Sequence, residues 1–196
     1  MTAAGPTLRE RTSRAVRAEI ARSAMRLFVR QGFEATTVDQ IVEAAGISRR
    51  SFFRYFGTKE DIVLGDLAAH GERVRDALEA RAADESAWEA LRAAFAALRD
   101  PTVSPEETLA VAKLYADAPA LRARHLEKHR RWQELLAPDV QRRLGLPPTP
   151  TPDVRARAVV AAALACLDTA VDAWRESGGT ADAERLFDEA VAAVRS

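Results

Sequence analysis

The stretch Thr37-Val38-Asp39-Gln40-Ile41-Val42-Glu43-Ala44-Ala45-Gly46-Ile47-Ser48-Arg49-Arg50-Ser51-Phe52-Phe53-Arg54-Tyr55-Phe56 holds two helix starts with one glycine between them. Thr37 followed three residues later by Gln40 is a capping box, in which each end satisfies a backbone N–H that the first helical turn leaves unpaired. Ser48 is a second N-cap. Gly46, within Ala45-Gly46-Ile47, supplies the left-handed residue that stops the first helix. Two short helices joined by so tight a turn make a helix-turn-helix over 37–56, whose second helix enters the major groove of DNA.

At about 100° per residue, Phe52 and Phe56 share one face of the second helix and pack inward with Ile47. Arg50 and Arg54 fall on the opposite face, flanked by Ser51 and Phe53, and Arg49 lies in the first turn. Guanidinium forks match guanine O6 and N7, and an aromatic edge can touch a thymine methyl. A solvated charged face is the commoner use of arginines on a short helix. The turn, the two caps and the charge distribution argue against it here.

Working outward, Val16, Ile20, Ala24, Leu27 and Phe28 recur at helical spacing up to Gly32, past which Phe33 can fold back on Phe28. Thr58 caps a fourth helix. In the remainder, Ser86-Ala87-Trp88-Glu89 and Ser104-Pro105-Glu106-Glu107 are capping boxes. A helix from Pro119 to about Arg143 is expected to break near Pro138. The run Pro147 to Pro152 is a loop. Helices over 153–177 and about 181–194 complete an all-α chain of about nine helices. The expected division is a head at 10–60 and a helical effector and dimerisation body at 61–196.

The net charge of zero conceals a split. Through Lys59 the chain has 11 basic and 5 acidic residues, a net +6; the rest has 18 and 24, a net −6. A basic head on an acidic body suits a polyanion partner for the head alone. With 47% hydrophobic and 30% charged residues the chain is globular rather than disordered. The lone Cys166 forms no intrachain disulfide and lies in an alanine-rich apolar run without a nearby base. That run, Ala158–Leu167, is ten residues, well short of the roughly 18 that span a bilayer. No signal-peptide core is apparent, so a cytoplasmic location and no membrane contact are expected.

Residues 37–60, with the preceding Ala24, Leu27-Phe28, Gly32-Phe33 and Thr36-Thr37, resemble the DNA-binding domain of the TetR family. The resemblance covers about residues 12–65. It implies a homodimeric regulator, usually a repressor, on a palindromic double-stranded DNA operator. It further implies base-side contacts from Arg49, Arg50 and Phe53, phosphate contacts from Thr37, Ser48, Tyr55 and Lys59, and either kind from Arg54. Many relatives carry a small residue where this chain has Arg50. Thr37 and Ser48 also stand at helix N-termini, where free N–H groups favour an anion. Arg9, Arg11 and Arg14 read as a loose, solvated basic tail, with nonspecific or minor-groove DNA contacts as the alternative.

The apolar stripes of the last two helices, with Val160, Leu164, Leu167, Val171 and Trp174 on one and Phe187 and Val191 on the other, resemble the four-helix dimer seam of that family. Trp88, Phe95, Leu114, Tyr115, His125, His129 and Trp132 are candidates to line an effector pocket between helices. Residues 118–124 with Arg130, Arg131 and Trp132 resemble the C-terminal domain of mycofactocin-regulator-type members, which implies an acyl-CoA-like small-molecule effector. His125 and His129 lie at i, i+4, but Leu126 stands where a zinc protease motif has glutamate and no third ligand is evident, so no metal site is expected. No catalytic residues and no cofactor are expected. The alternative reading is a ligand-binding or scaffold protein whose DNA head is little used.

Overall fold

The computed structural model describes residues 7–64, 67–99 and 103–195. Among these are ten α-helices and no strand: α1 (Leu8–Gln31), α2 (Val38–Ala44), α3 (Arg49–Tyr55), α4 (Glu60–Leu64), α5 (Leu67–Glu79), α6 (Ala87–Ala96), α7 (Pro105–Asp117), α8 (Pro119–Arg143), α9 (Val154–Glu176) and α10 (Ala183–Arg195). The count exceeds the expected nine because the fourth helix is described as two, α4 and α5. The chain forms two compact units. One is the N-terminal region to residue 65 together with Leu114–Leu121; the other comprises the remaining residues.

In the first unit, Ile20, Ala24, Leu27 and Phe28 of α1 are buried with Phe33, Ile41, Val42, Phe52, Phe56 and Ile62. Gly32 has a φ of +85°, and its N–H donates to the Phe28 carbonyl at 2.9 Å. The turn brings Phe33 to 4.9 Å from Phe28, ring to ring, as the glycine stop predicts. The residues expected as a loose tail are instead the first turns of α1: Arg9, Arg11 and Arg14 are helical. No glycine or proline interrupts Leu8–Gln31, so nothing separates them from the buried part of the helix.

The second unit has its own core. Val74 and Leu78 of α5, Leu91 and Phe95 of α6, Trp132, Leu136 and Val140 of α8, Val160 and Leu164 of α9 and Phe187 of α10 are buried together. Both predicted capping boxes form, Ser86 with Glu89 and Ser104 with Glu107. The expected break at Pro138 is absent, and α8 runs through it. Leu136, Ala137 and Val140 around it are buried, and that packing outweighs the single hydrogen bond a proline removes. Gly71 is needed where α5 meets α8: a Cβ there would lie 2.9 Å from Trp132 Nε1. A buried pair closes the unit. Arg143, with no side-chain exposure, donates to Asp139 at 2.6 Å and to the Leu78 and Ala82 carbonyls at 2.9 and 2.7 Å.

Candidate functional site

The turn between α2 and α3 is built as the sequence predicts. Gly46 has a φ of +64°, its N–H donates to the Glu43 carbonyl, and the Ile47 N–H donates to that of Val42. The Thr37 hydroxyl accepts from the Gln40 N–H while the Gln40 side chain accepts from the Thr37 N–H. The Ser48 hydroxyl accepts from the Ser51 N–H at 3.1 Å. Helix α3 ends through an extended Phe56 rather than through Gly57, which has no positive φ.

These constraints orient a seven-residue helix with Phe52 fully buried beneath it. Its outer face carries Arg49, Arg50, Phe53 and Arg54, all exposed. Two of the arginines are partly engaged. Arg49 pairs with Asp39 at 3.2 Å, and Arg54 lies over the Tyr55 ring at 4.8 Å and donates to its hydroxyl at 3.3 Å. Arg50 makes no hydrogen bond or ion pair among the described residues, and Phe53 is 52% exposed. An exposed phenyl ring beside an unengaged guanidinium, on a helix fixed at both ends, offers the chemistry that base edges recognise. Tyr55 is half-buried, its carbonyl accepting from Arg17 at 2.9 Å. Arg17 also lies 4.5 Å over the Phe56 ring. Sequence reasoning missed this latch, since nothing local marks one arginine of a basic helix as the one that reaches 38 residues forward.

Lys59 is placed differently from its expected phosphate role. Its ammonium donates to the carbonyls of Phe33 at 2.9 Å, Thr36 at 3.1 Å and Glu34 at 3.4 Å, and lies 4.4 Å over the Phe33 ring. An ammonium has three N–H donors, and all three are spent on the loop between α1 and α2. Lys59 therefore holds the helix-turn-helix in place rather than offering a free cation.

The candidate effector residues are not gathered into one cavity within either unit. Leu114, buried, and Tyr115, whose phenol burial pushes up, belong to the first unit. The other five belong to the second. Phe95 is core, edge-on to Phe187 at 6.0 Å. Trp88 is half-buried in an open surface depression that also exposes Arg92, Asp188, Val191 and Arg195. His125, His129 and Trp132 follow one face of α8. Lys128 lies 4.8 Å over the Trp132 ring, and burial lowers it to about 8 against the pull of Asp168. Asp168 of α9 meets both histidines, with His125 Nε2 at 2.9 Å and His129 Nε2 at 3.4 Å from its Oδ1. Burial would raise this carboxyl, but the two imidazoles outweigh it and hold Asp168 well below the usual carboxylate range. Asp168 was invisible to sequence reasoning because it lies 43 residues beyond His125 in the chain. Burial raises the Cys166 thiol, which fits a structural side chain.

The family model for bacterial regulatory proteins of the TetR family matches residues 20–65, and the model for the MftR C-terminal domain matches residues 85–196. The chain belongs to the TetR family. It is 36% identical over 149 residues to the HTH-type transcriptional regulator TcmR of Streptomyces glaucescens, covering 72% of this chain and 66% of that protein. It is 34% identical over 125 residues to MftR of Mycobacterium tuberculosis, named for mycofactocin biosynthesis, covering 62% of each. The matches thus span slightly less than two thirds of these relatives' length. Among solved structures, FadR of Thermus thermophilus, a TetR-family repressor in complex with lauroyl-CoA, has a TM-score of 0.54 at 24% identity, covering 89% of this chain and 91% of that one. A regulator from Mesorhizobium loti has a TM-score of 0.57 at 21% identity, covering 92% and 95%. These two likenesses show a common TetR fold. No helix among the described residues is long and apolar enough to cross a membrane.

The seam implied by the TetR resemblance needs correction in its residues. Val160, Leu164 and Phe187 are buried in the second unit's own core and have little or no surface left to offer a partner. Leu167 and Val191 pack against that core from its edge. Trp174 is half-buried, lying against Gly179. Val171 remains exposed at 41%. The helical stripe that faces outward is Val154, Ala158, Ala165 and Thr169. Alanine reads as apolar on either face, so the sequence pattern did not mark which side of α9 packs on the unit's own core.

Proposed function

We propose that this chain is a sequence-specific DNA-binding transcriptional repressor. A head at 10–60 reads a palindromic operator, and a body at 61–196 supplies dimerisation and an effector site. The observation that carries the reading is the outer face of α3, where an unengaged Arg50 and an exposed Phe53, edge-on to the buried Phe52, stand on a helix fixed by Ser48 and the Gly46 turn. Membership of the TetR family supports it. Arg50 and Phe53 read base edges, Arg49 and Arg54 turn from their intramolecular partners to the DNA, and Thr37, Ser48, Ser51 and Tyr55 border the phosphates.

The dimer forms through the outer faces of α9 and α10, where Ala158 and Ala165 allow close helix approach and Val171 adds apolar area. Two heads are needed because each reads only a half-site. The effector belongs to the acyl-CoA class. The MftR-type C-terminal domain and the lauroyl-CoA held by the Thermus thermophilus relative support this assignment. Such a ligand releases DNA only by binding the two protein conformations unequally. The test is operator binding by the purified chain, then release by acyl-CoAs of increasing length. Release that strengthens with length, by up to ~0.8 kcal/mol per buried CH₂, is expected. Release by free CoA at the same concentrations would remove the acyl assignment.

A further inference from the structure

We propose that His125, His129 and Asp168 bind a divalent transition metal of the zinc class, tying α8 to α9 within the body. The proposal is independent of the effector reading.

Two histidines at i, i+4 stand on one face of α8, and the neighbouring α9 delivers a single carboxylate to the same point. Both Nε2 atoms address one oxygen, Asp168 Oδ1, at 2.9 and 3.4 Å. The three ligating atoms lie within 4.8 Å of one another. Metal–ligand bonds of about 2.0–2.1 Å in tetrahedral arrangement separate neighbouring ligand atoms by about 3.3 Å. Two of the three separations therefore already lie near the required value, and rotation of one imidazole closes the third.

Convergence alone would also fit a hydrogen-bonded cluster, but the bonds do not complete one. His129 Nε2 is buried and has no hydrogen-bond partner. It approaches Asp168 Oδ1 only at 3.4 Å. A buried ring nitrogen left in that condition is uncommon in a settled core, and metal coordination satisfies it. The ring centroids are 4.3 Å apart, which keeps both imidazoles beside the shared point. Side-chain exposures of 27%, 12% and 38% for His125, His129 and Asp168 give an ion a route in.

The donor set selects the ion. Two imidazoles and one carboxylate suit zinc, cobalt, nickel or copper; magnesium and calcium demand oxygen ligands. Three protein ligands leave the fourth tetrahedral position for water or for a donor atom of a bound molecule, the arrangement of an open rather than a closed zinc site. The expectation of no metal site came from the missing third ligand. Asp168 supplies it from another helix.

The test uses the untagged full chain, treated with chelator and desalted. Zinc titration against a chromophoric chelator should give one ion per chain, and cobalt(II) should develop the intense visible absorption of a tetrahedral complex. Zinc should also raise the thermal midpoint, because a ligand that binds only the folded state stabilises it. His129→Gln and the isosteric Asp168→Asn should each weaken zinc by more than ~100-fold, since even outer-shell partners are worth about 10–100-fold. Asp168→Asn keeps the side chain's shape, and its helicity by circular dichroism shows that the fold persists. Cys166→Ser should leave binding intact. Absence of zinc binding at micromolar concentration overturns the proposal, as does zinc affinity that survives both His129→Gln and Asp168→Asn.

Discussion

Replacing Lys59 by methionine separates two accounts of one residue. A phosphate-binding lysine costs DNA affinity when removed and leaves the fold alone. The structure instead spends its three donors on the carbonyls of Phe33, Thr36 and Glu34, with the ammonium over the Phe33 ring. The contacts at 2.9 and 3.1 Å are good charge-assisted bonds; the third, at 3.4 Å, is marginal. Hydrogen bonds to a charged group are worth about 1.5–3 kcal/mol each, and a cation–π contact about 0.5–1 kcal/mol where solvent reaches it. Lys59 is only half-buried and water can replace part of what is lost, so the lower ends apply and Lys59→Met should destabilise by about 2–4 kcal/mol. Urea unfolding followed by circular dichroism measures this, with Lys113→Met as an exposed control. A stability unchanged from wild type, together with a salt dependence of DNA binding reduced by about one phosphate contact, would refute the latch and restore the phosphate role.

Three further outcomes follow from the same structure. Arg143→Met leaves Asp139 buried with Arg142 as its one remaining cationic partner among the described residues, and thermal unfolding should show a loss of about 3–5 kcal/mol; a loss under about 1 kcal/mol would mean the pair is not dry. Ala165→Arg places a charge on the exposed stripe of α9 without touching the unit's own core, so sedimentation should show helical monomers with weakened operator binding; an intact dimer moves the seam elsewhere. Asp153 caps α9 by accepting from the Arg155 N–H at 2.8 Å, and its hydrogen bonds with Arg155 hold it at about 2, below its ordinary value of 3.8. A depressed carboxylate stabilises above its unfolded pKa and loses that contribution as pH falls through the folded one. Stability should therefore drop between about pH 4 and pH 2, and Asp153→Asn, which keeps the cap oxygen, should flatten that part of the profile.

Much of the architecture was legible because its signals are local. Caps at Thr37, Ser48, Ser86 and Ser104 and the glycine stops at Gly32 and Gly46 act within four residues, and each behaves as its chemistry requires. What was not legible depends on partners far along the chain. Lys59 looks like any lysine beside a DNA-reading helix until the loop at 33–36 is seen to close over it. Between Ala158 and Leu167 α9 has no polar residue to mark which side is in, so the pattern gives Val160 and Leu164 to a partner when they fill the chain's own core. Pro138 failed as a breaker because neighbours on α8 are anchored by burial. Asp168 joined two histidines only in three dimensions.

The central claim is that α3 reads base sequence through Arg50. Genomic fragments selected by the purified chain should contain a palindrome, and competition between that operator and a scrambled duplex should be measured for wild type and for Arg50→Ala at several salt concentrations. The account predicts strong preference by the wild type, and a loss of about 1–3 kcal/mol per half-site contact in the variant, with relaxed base preference and an unaltered salt slope. Equal preference in Arg50→Ala and wild type, or no preference in either, would contradict it.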